Sequence, residues 1–362
     1  CMPISQSIQE CHRCGILSYF RFLYPLGDQL YCGVCADMLR MCIHSDTVAH
    51  VSEMLCDSEG NYLRQEYRDL YTTCDECGAF VLREEAVEVN GEYFHPDHAP
   101  YRYSIHRYGY RPSPIFLFLP SETRAKLFMG VELEIEGGGD IDRKCNEIML
   151  MAHPDQTPEP YIYGKHDSSV ENGFELVTHP ATLRYHMEKF PWDAILQKAV
   201  DLGYSRNPRT CGLHVHISRR YFGATETRQD LGIMKFVYLV EKFWDNMLVF
   251  SRRTPESLER WASRYGLKNT PRETLEHVKE VNENNRYKAV NLANCNTIEV
   301  RLFRGTLDPV ILKATLQLCY SLAVAAKKLS IEGIVGLTWN DFVQRCTKHK
   351  ELMQYLRSKS LA

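Results

Sequence analysis

Three Cys-x2-Cys pairs within the first 77 residues constrain this chain more than any other feature. Cys11 and Cys14 form one pair and Cys32 and Cys35 a second, with seventeen residues between the pairs. Cys74 and Cys77 form the third, followed at the same interval by His95 and then His98. A Cys-x2-Cys turn aims two thiolates at one point, and two further donors complete the tetrahedron that zinc takes in structural sites. Cys11, Cys14, Cys32 and Cys35 are therefore candidate ligands of one zinc. Cys74, Cys77, His95 and His98 are candidates for a second, with Asp97 as an alternative to His98. Disulfides are the competing reading. The first thirty residues lack the apolar core of a secretory signal, and no apolar run approaches the ~18 residues needed to span a bilayer. A cytoplasmic, reducing setting is expected, where paired thiols mean metal.

Between the two candidate sites lie Cys42, His44, His50 and Cys56, at a spacing that matches no zinc pattern. Val48, Val51, Met54 and Leu55 recur at helical intervals, so a helix with buried cysteines and a third metal site both fit this stretch. Cys1 takes no role: nothing after it reads as the strand-rich domain that an N-terminal cysteine nucleophile needs.

Charge divides the chain where the cysteines do. Nine of the fourteen cysteines precede residue 78, and no lysine precedes Lys126. Residues 1–125 carry a net charge of −7 and the remainder +4, giving the overall −3. The expected organisation is a zinc-binding module over 1–110, with fingers at about 11–35 and 74–98. A Tyr-, Arg- and Pro-rich linker over 111–126 leads to a catalytic domain over 127–362. The acidic front argues against nucleic acid as a partner, because a phosphate backbone recruits basic surfaces.

Four polar-faced strands mark the back half. Residues 130–136 (GVELEIE) alternate strictly, with Val131, Leu133 and Ile135 on one side and Glu132, Glu134 and Glu136 on the other. Like charges along one strand face repel unless a cation sits over them. Gly173 to Val177 reads as a strand carrying Glu175, with Asp167 in the loop before it. CGLHVHIS at 211–218 sets His214 and His216 on one face, and NTIEVRLFRGTL at 296–307 does the same for Glu299 and Arg301. Helices are expected over 181–202, 227–251, 255–265, 271–285, 308–329 (largely buried) and 339–358. Carboxylates, imidazoles and an arginine from successive strands are the means to hold divalent metal and polyphosphate together.

The order of these blocks resembles glutamine synthetase and, more closely, the amidoligases. These are carboxylate–amine ligases with a glutamine-synthetase-like fold, often encoded near phage genes. The likeness runs through IHRYGYRPSPIF, GVELEIEGGG, DSSVENGFELVTHPAT, CGLHVHIS, RYKAVNL and NTIEVRLFRGTL. The front is similar to half of a LIM-type or related treble-clef finger. The resemblance implies an α+β fold: an antiparallel β-sheet or barrel with packed helices, behind a small zinc-finger module. It implies ATP and magnesium as cofactors beside the zinc. Glu132, His214 and Glu299 would ligate one cation, and Glu134 and Glu175 another, with Asp167 a further member. His216 and Arg301 would contact phosphate, and Arg286 and Arg304 the nucleotide or substrate.

The activity so implied is ATP-dependent amide or isopeptide formation through an acyl phosphate, from a carboxylate and an amine co-substrate. A zinc module ahead of such a domain suggests recruitment of a protein or peptide substrate. Two other classes fit parts of the pattern: a zinc-dependent hydrolase built on the His-x-His strand, and a non-catalytic zinc-finger adaptor. The flap segments of glutamine synthetase have no match, so the acid and the amine stay open.

Overall fold

A computed structural model describes residues 7–89, 91–123, 127–153, 160–170, 172–208, 210–282 and 287–362. Cys1 and Arg286 lie outside these residues. The chain divides into two units, Cys1–Pro100 and Tyr101–Ala362.

Within the first unit the chain folds back on itself in short antiparallel hairpins. They pair β1 (Ile8–Glu10) with β2 (Leu17–Tyr19), and β3 (Leu23–Leu26) with β4 (Gln29–Cys32). Next come β5 (Leu39–Met41) with β6 (Val48–His50), and β7 (Met54–Cys56) with β8 (Tyr62–Arg64). Last are β9 (Tyr71–Thr73) with β10 (Phe80–Leu82), and β11 (Val87–Val89) with β12 (Glu92–Phe94). The buried apolar clusters are small: Cys11, Tyr31 and Cys35 in one, and Cys42, Ala49, Met54, Leu63 and Tyr71 in another. Helical spacing between Cys42 and Cys56 misleads here. The segment is β6, a single 3-10 turn at Val51–Glu53 and β7.

The second unit is built on one seven-stranded sheet. Its strands are β13 (Ile105–His106), β14 (Met129–Glu136), β15 (Ile162–Lys165), β16 (Gly173–Thr178), β17 (Gly212–Ser218), β18 (Val290–Asn291) and β19 (Thr297–Arg304). The order is β13-β15-β16-β14-β17-β19-β18. Every pairing is antiparallel except β13 with β15. No pairing between β13 and β18 closes the sheet among the described residues, so the sheet form of the expectation is what the structure shows. The four polar-faced strands read from the sequence are β16, β14, β17 and β19, four of the five inner strands.

Residues 101–123 group with this unit, ahead of the boundary expected at 110. Ile105–His106 adds an edge strand, and Tyr110 stacks on His106 with ring centres 3.8 Å apart. Helices cover the apolar face, where Val131, Leu133, Ile135, Phe174, Leu213, Val215 and Val300 are fully buried. The central one, Pro309–Lys328, starts where Asp308 accepts hydrogen bonds from the Val310 and Ile311 N–H groups, with Pro309 as the first helical residue. By length and hydropathy it could cross a membrane, against the expectation that no run comes near. Two-thirds of its apolar window is buried inside the unit. The helices Asp142–Ala152, Leu183–Glu188 and Trp192–Asp201 pack against the same core.

Where β14 and β16 part, backbones come very close. A Cβ on Gly173 would lie 1.8 Å from the Ile135 carbonyl oxygen. Gly173→Ala should therefore destabilise the second unit by about 3–5 kcal/mol, the range of severe backbone and packing defects. Gly336→Ala, where a Cβ meets nothing within 4 Å, serves as the control. Thermal unfolding of both variants checks this: an unchanged midpoint for Gly173→Ala would show that the strands can separate freely there.

Candidate active site and zinc centres

The two knuckle sites come together as the spacing requires. Donor atoms of Cys11, Cys14, Cys32 and Cys35 lie within 4.8 Å of one another, as do those of Cys74, Cys77, His95 and His98. Cys14 Sγ and Cys32 Sγ are 3.7 Å apart. That is far beyond a disulfide bond, and it matches the tetrahedral edge of about 3.8 Å that Zn–S bonds of ~2.3 Å generate. In the second set, Cys74 Sγ to His98 Nδ1 and Cys77 Sγ to His95 Nδ1 both measure 3.5 Å, near the mixed S–N edge. His98, not Asp97, completes this set. The donors fit zinc at both sites.

In the second unit, strand register assembles the polar face. Glu132 stands opposite His214, Glu134 opposite Glu175, and His216 opposite Glu299. Outer strands add Lys165 opposite Glu175 and Asn291 opposite Glu299. These side chains line a cavity of about 910 Å³, within the upper range of small-molecule sites. A shift of register between β17 and β19 falls at Leu213/Val215, beside His214, the kind of irregularity that re-aims side chains at sites.

Distances divide this face into two ends. At one, Glu132, His216 and Glu299 bring donor atoms within 4.8 Å of one another. His216 Nε2 is 3.3 Å from Glu132 Oε1, and His214 Nδ1 is 3.5 Å from both Glu132 and Glu299. Arg301 and Asn291 hold the Glu299 carboxylate, the latter by an amide hydrogen bond of 2.8 Å. At the other end, Lys165 Nζ lies 3.6 Å from Glu175 Oε2, with both side chains buried.

Burial would raise every acid here, and the neighbours decide the outcome. The His216 and His214 imidazoles overcome burial at Glu132 and hold it well below the ordinary carboxylate range. Glu299 is lowered against the same burial by His216, His214 and Arg301. His216 is raised: burial opposes the charged imidazolium, but Glu132 and Glu299 outweigh it. Glu175 goes the other way. Burial first, then the charges of Glu132 and Asp167, push it up to about 9 despite Lys165.

Sequence reasoning grouped His214 with Glu132 and Glu299; the tightest set contains His216 instead, with His214 just outside it. Asp167 lines the cavity and caps Ser169 through its Oδ1. Arg304 does not line it: its guanidinium donates to the Asn207 and Pro208 carbonyls. Reasoning from sequence missed Lys165, Asn291 and Arg253. Asn291 sits in the RYKAVNL block, so its signal was present. Arg253, buried, donates to the Phe303 carbonyl and to Ser257 Oγ, and lines the cavity near His214.

The family described as "Putative amidoligase enzyme" matches residues 142–323, half of the chain. That span includes Lys165, Glu175, His214, His216, Glu299 and Arg301, and stops short of Glu132 and Glu134. Among solved structures, one titled "Apo GmaS without ligand" aligns at 16% identity with a TM-score of 0.35, over 64% of this chain and 65% of its own. No protein of curated function matches.

Metal analysis of the reduced protein should find two zinc ions per chain, and Cys32→Ser should lose one with loss of structure in the first unit, since structural zinc supplies much of a small module's folding energy. A value well under two in the wild type would refute both assignments. A second expectation follows from Glu175. Its folded pKa lies above the unfolded value, so the folded state keeps a proton that the unfolded chain releases above about pH 4.5. Stability should fall as pH rises from about 4.5 to about 9 in cation-free buffer. Glu175→Gln should flatten that slope, and melting curves at pH 5 and pH 9 would reveal an unchanged slope if the carboxyl is already ionised.

Proposed function

The chain belongs to the amidoligase family, and on that footing we propose that its second unit joins a carboxylate to an amine at the expense of ATP. One observation carries the reading. Glu175 Oε2, His214 Nδ1, His216 Nε2 and Arg301 Nε are buried on one sheet face without a hydrogen-bond partner among the described residues. The first three have only ion-pair contacts of 3.3–3.6 Å, to Lys165, Glu132 and Glu299. Folded proteins seldom leave several buried polar atoms without a hydrogen bond in one place, and a charged ligand would satisfy them together.

The donor set favours hard cations, because carboxylate oxygens outnumber imidazole nitrogens. Glu132, His216 and Glu299, with His214 beside them, would hold one magnesium ion, and Glu134 and Glu175, with Asp167 near, would hold another. Magnesium at such positions supplies charge neutralisation of the ATP phosphates. Arg301 stands where it can stabilise a transferring phosphoryl group. Trp261 and Tyr287, packed edge to face with ring centres 5.5 Å apart, also line the cavity and would offer an aromatic surface to a nucleobase.

Amide formation from a carboxylate in water is uphill, so the departing oxygen needs a better leaving group. Transfer of the γ-phosphoryl of ATP to the carboxylate gives an acyl phosphate and ADP. The amine then attacks the acyl carbon, phosphate leaves, and the amine loses a proton. No protein nucleophile enters the sequence. The first unit would bring in a polypeptide substrate. Its net charge of −10 over residues 1–100 favours a basic partner, and Ile8, Ile16, Leu17, Tyr19, Phe22 and Tyr24 expose apolar surface around the first knuckle.

Release of ADP and phosphate by the full chain, with pools of carboxylates and amines, tests the activity. Glu132→Ala or Glu299→Ala should lower it on the order of 10²–10³-fold with zinc content unchanged. Full turnover in both variants would place the reaction elsewhere. Leu17→Ser with Phe22→Ser should raise KM for a polypeptide substrate and leave kcat alone; an unchanged KM would end the recruitment role.

A further inference from the structure

The residues around Cys42 match no zinc pattern, yet their backbone is the same as that around the two zinc knuckles. Cys11, Cys42 and Cys74 stand 31 and 32 residues apart. Each lies in the turn of a hairpin: β1–β2, β5–β6 and β9–β10. The Cys N–H donates to the carbonyl five residues on, at Ile16, Thr47 and Ala79, over 2.9, 2.8 and 2.8 Å. The Cys carbonyl accepts from the N–H four residues on, at Gly15, Asp46 and Gly78. Those three residues have φ of +72°, +54° and +73°. Asp46 thus takes a left-handed conformation that favours glycine.

The second hairpin of each copy repeats as faithfully. The residue after each Cys donates its N–H to a carbonyl there: His12 to Leu30, Ile43 to Tyr62 and Asp75 to Tyr93, over 2.7, 2.9 and 2.7 Å. The Cys sulfur accepts from the backbone N–H of the residue at the third-ligand position. These are Cys32 N–H at 3.3 Å, Arg64 N–H at 3.4 Å and His95 N–H at 3.4 Å. Counting from these anchors, the ligand positions of the outer copies are Cys11, Cys14, Cys32, Cys35 and Cys74, Cys77, His95, His98. The middle copy has Cys42, Ser45, Arg64 and Tyr67 in those places.

We infer that residues 39–70 are a third copy of the zinc knuckle that holds no metal, with ring packing where the other copies have the ion. Ser45 turns to Thr47, its Oγ 2.7 Å from the Thr47 hydroxyl, and Arg64 pairs with Glu66. His44 lies on Tyr67 with ring centres 4.2 Å apart, and edge-on to Tyr71 at 5.8 Å. Cys42 is sealed among Ala49, Met54, Leu63 and Tyr71, with Tyr62 and Tyr67 packed against them. Of the other two residues that kept a third site open, His50 bonds to Ser52, and the exposed Cys56 donates to the Asp57 carbonyl. Neither faces Cys42's sulfur as a ligand, and the described residues hold no donor cluster here.

Restoring the ligands is the direct test. In the full chain, Ser45→Cys, Arg64→Cys and Tyr67→Cys together should raise zinc from two to three per chain by metal analysis. A folded variant that still holds two would refute the equivalence of the copies, and three zinc ions in the unaltered chain would refute the metal-free state. Should the triple variant fail to fold, two single variants decide. Cys42→Val should keep both zinc ions. Tyr67→Ala should also keep both, while hydrogen-exchange protection of the 42–64 amides falls at least tenfold. Loss of zinc from Cys42→Val, or unchanged protection in Tyr67→Ala, would overturn the inference.

Discussion

Glu132 faces His214 across one edge of β14 and Val177 across the other, and this pairing sets where the other charges of the site fall. Side chains on a strand alternate with a period of two, so a slip of one residue would turn Val131, Leu133 and Ile135 to the cavity and three glutamates into the core. The apolar face therefore fixes the register, and the register fixes the site. His216 meets Glu299 and Glu134 meets Glu175 because the same ladder continues outward through β17 and β16.

That arrangement concentrates like charge, and the protein meets the strain differently at its two ends. Near β17 and β19, imidazoles and Arg301 stand among Glu132 and Glu299, so both carboxylates stay ionised. Near β15 and β16, Glu175 has Lys165 opposite it on one side and Glu134 on the other, and burial with the charges of Glu132 and Asp167 makes the protonated form the stable one. A cation at the first end would bind without rearranging protons, whereas one at the other would need a proton released first.

Much of this was legible in the sequence because alternation is strong where one strand face is buried. Segments 130–136, 211–218 and 296–307 showed their faces directly, and with them Glu132, His214, His216, Glu299 and Arg301. The short strand Ile162–Lys165 did not. Four residues hold too little alternation, and Gly164 reads as a breaker, although it is there because a Cβ would approach Cys145 Sγ to 2.4 Å. Lys165 was lost with it. Arg304 misled in the opposite sense: it resembles Arg301 in sequence, but its guanidinium turns to backbone carbonyls of the 207–208 loop. Arg253 had no signal, since it follows a helix and Arg252, whose φ is +62°, in no periodic pattern.

Metal and core compete as sources of stability in the first unit. The cluster around the first zinc set contains Cys11, Tyr31 and Cys35, with the ligands themselves among its buried members. So few apolar side chains cannot offset the entropy of ordering some thirty residues, and the ion must supply the difference. The middle copy buries Cys42, Ala49, Met54 and Leu63 and adds Tyr71 from β9, a strand of the next copy. It draws part of its core from its neighbour, which an isolated knuckle could not do. Loss of the ion is tolerable at that place for the same reason: a copy packed within a row can exchange a tetrahedral centre for aromatic contacts, provided that its neighbours stay folded around theirs.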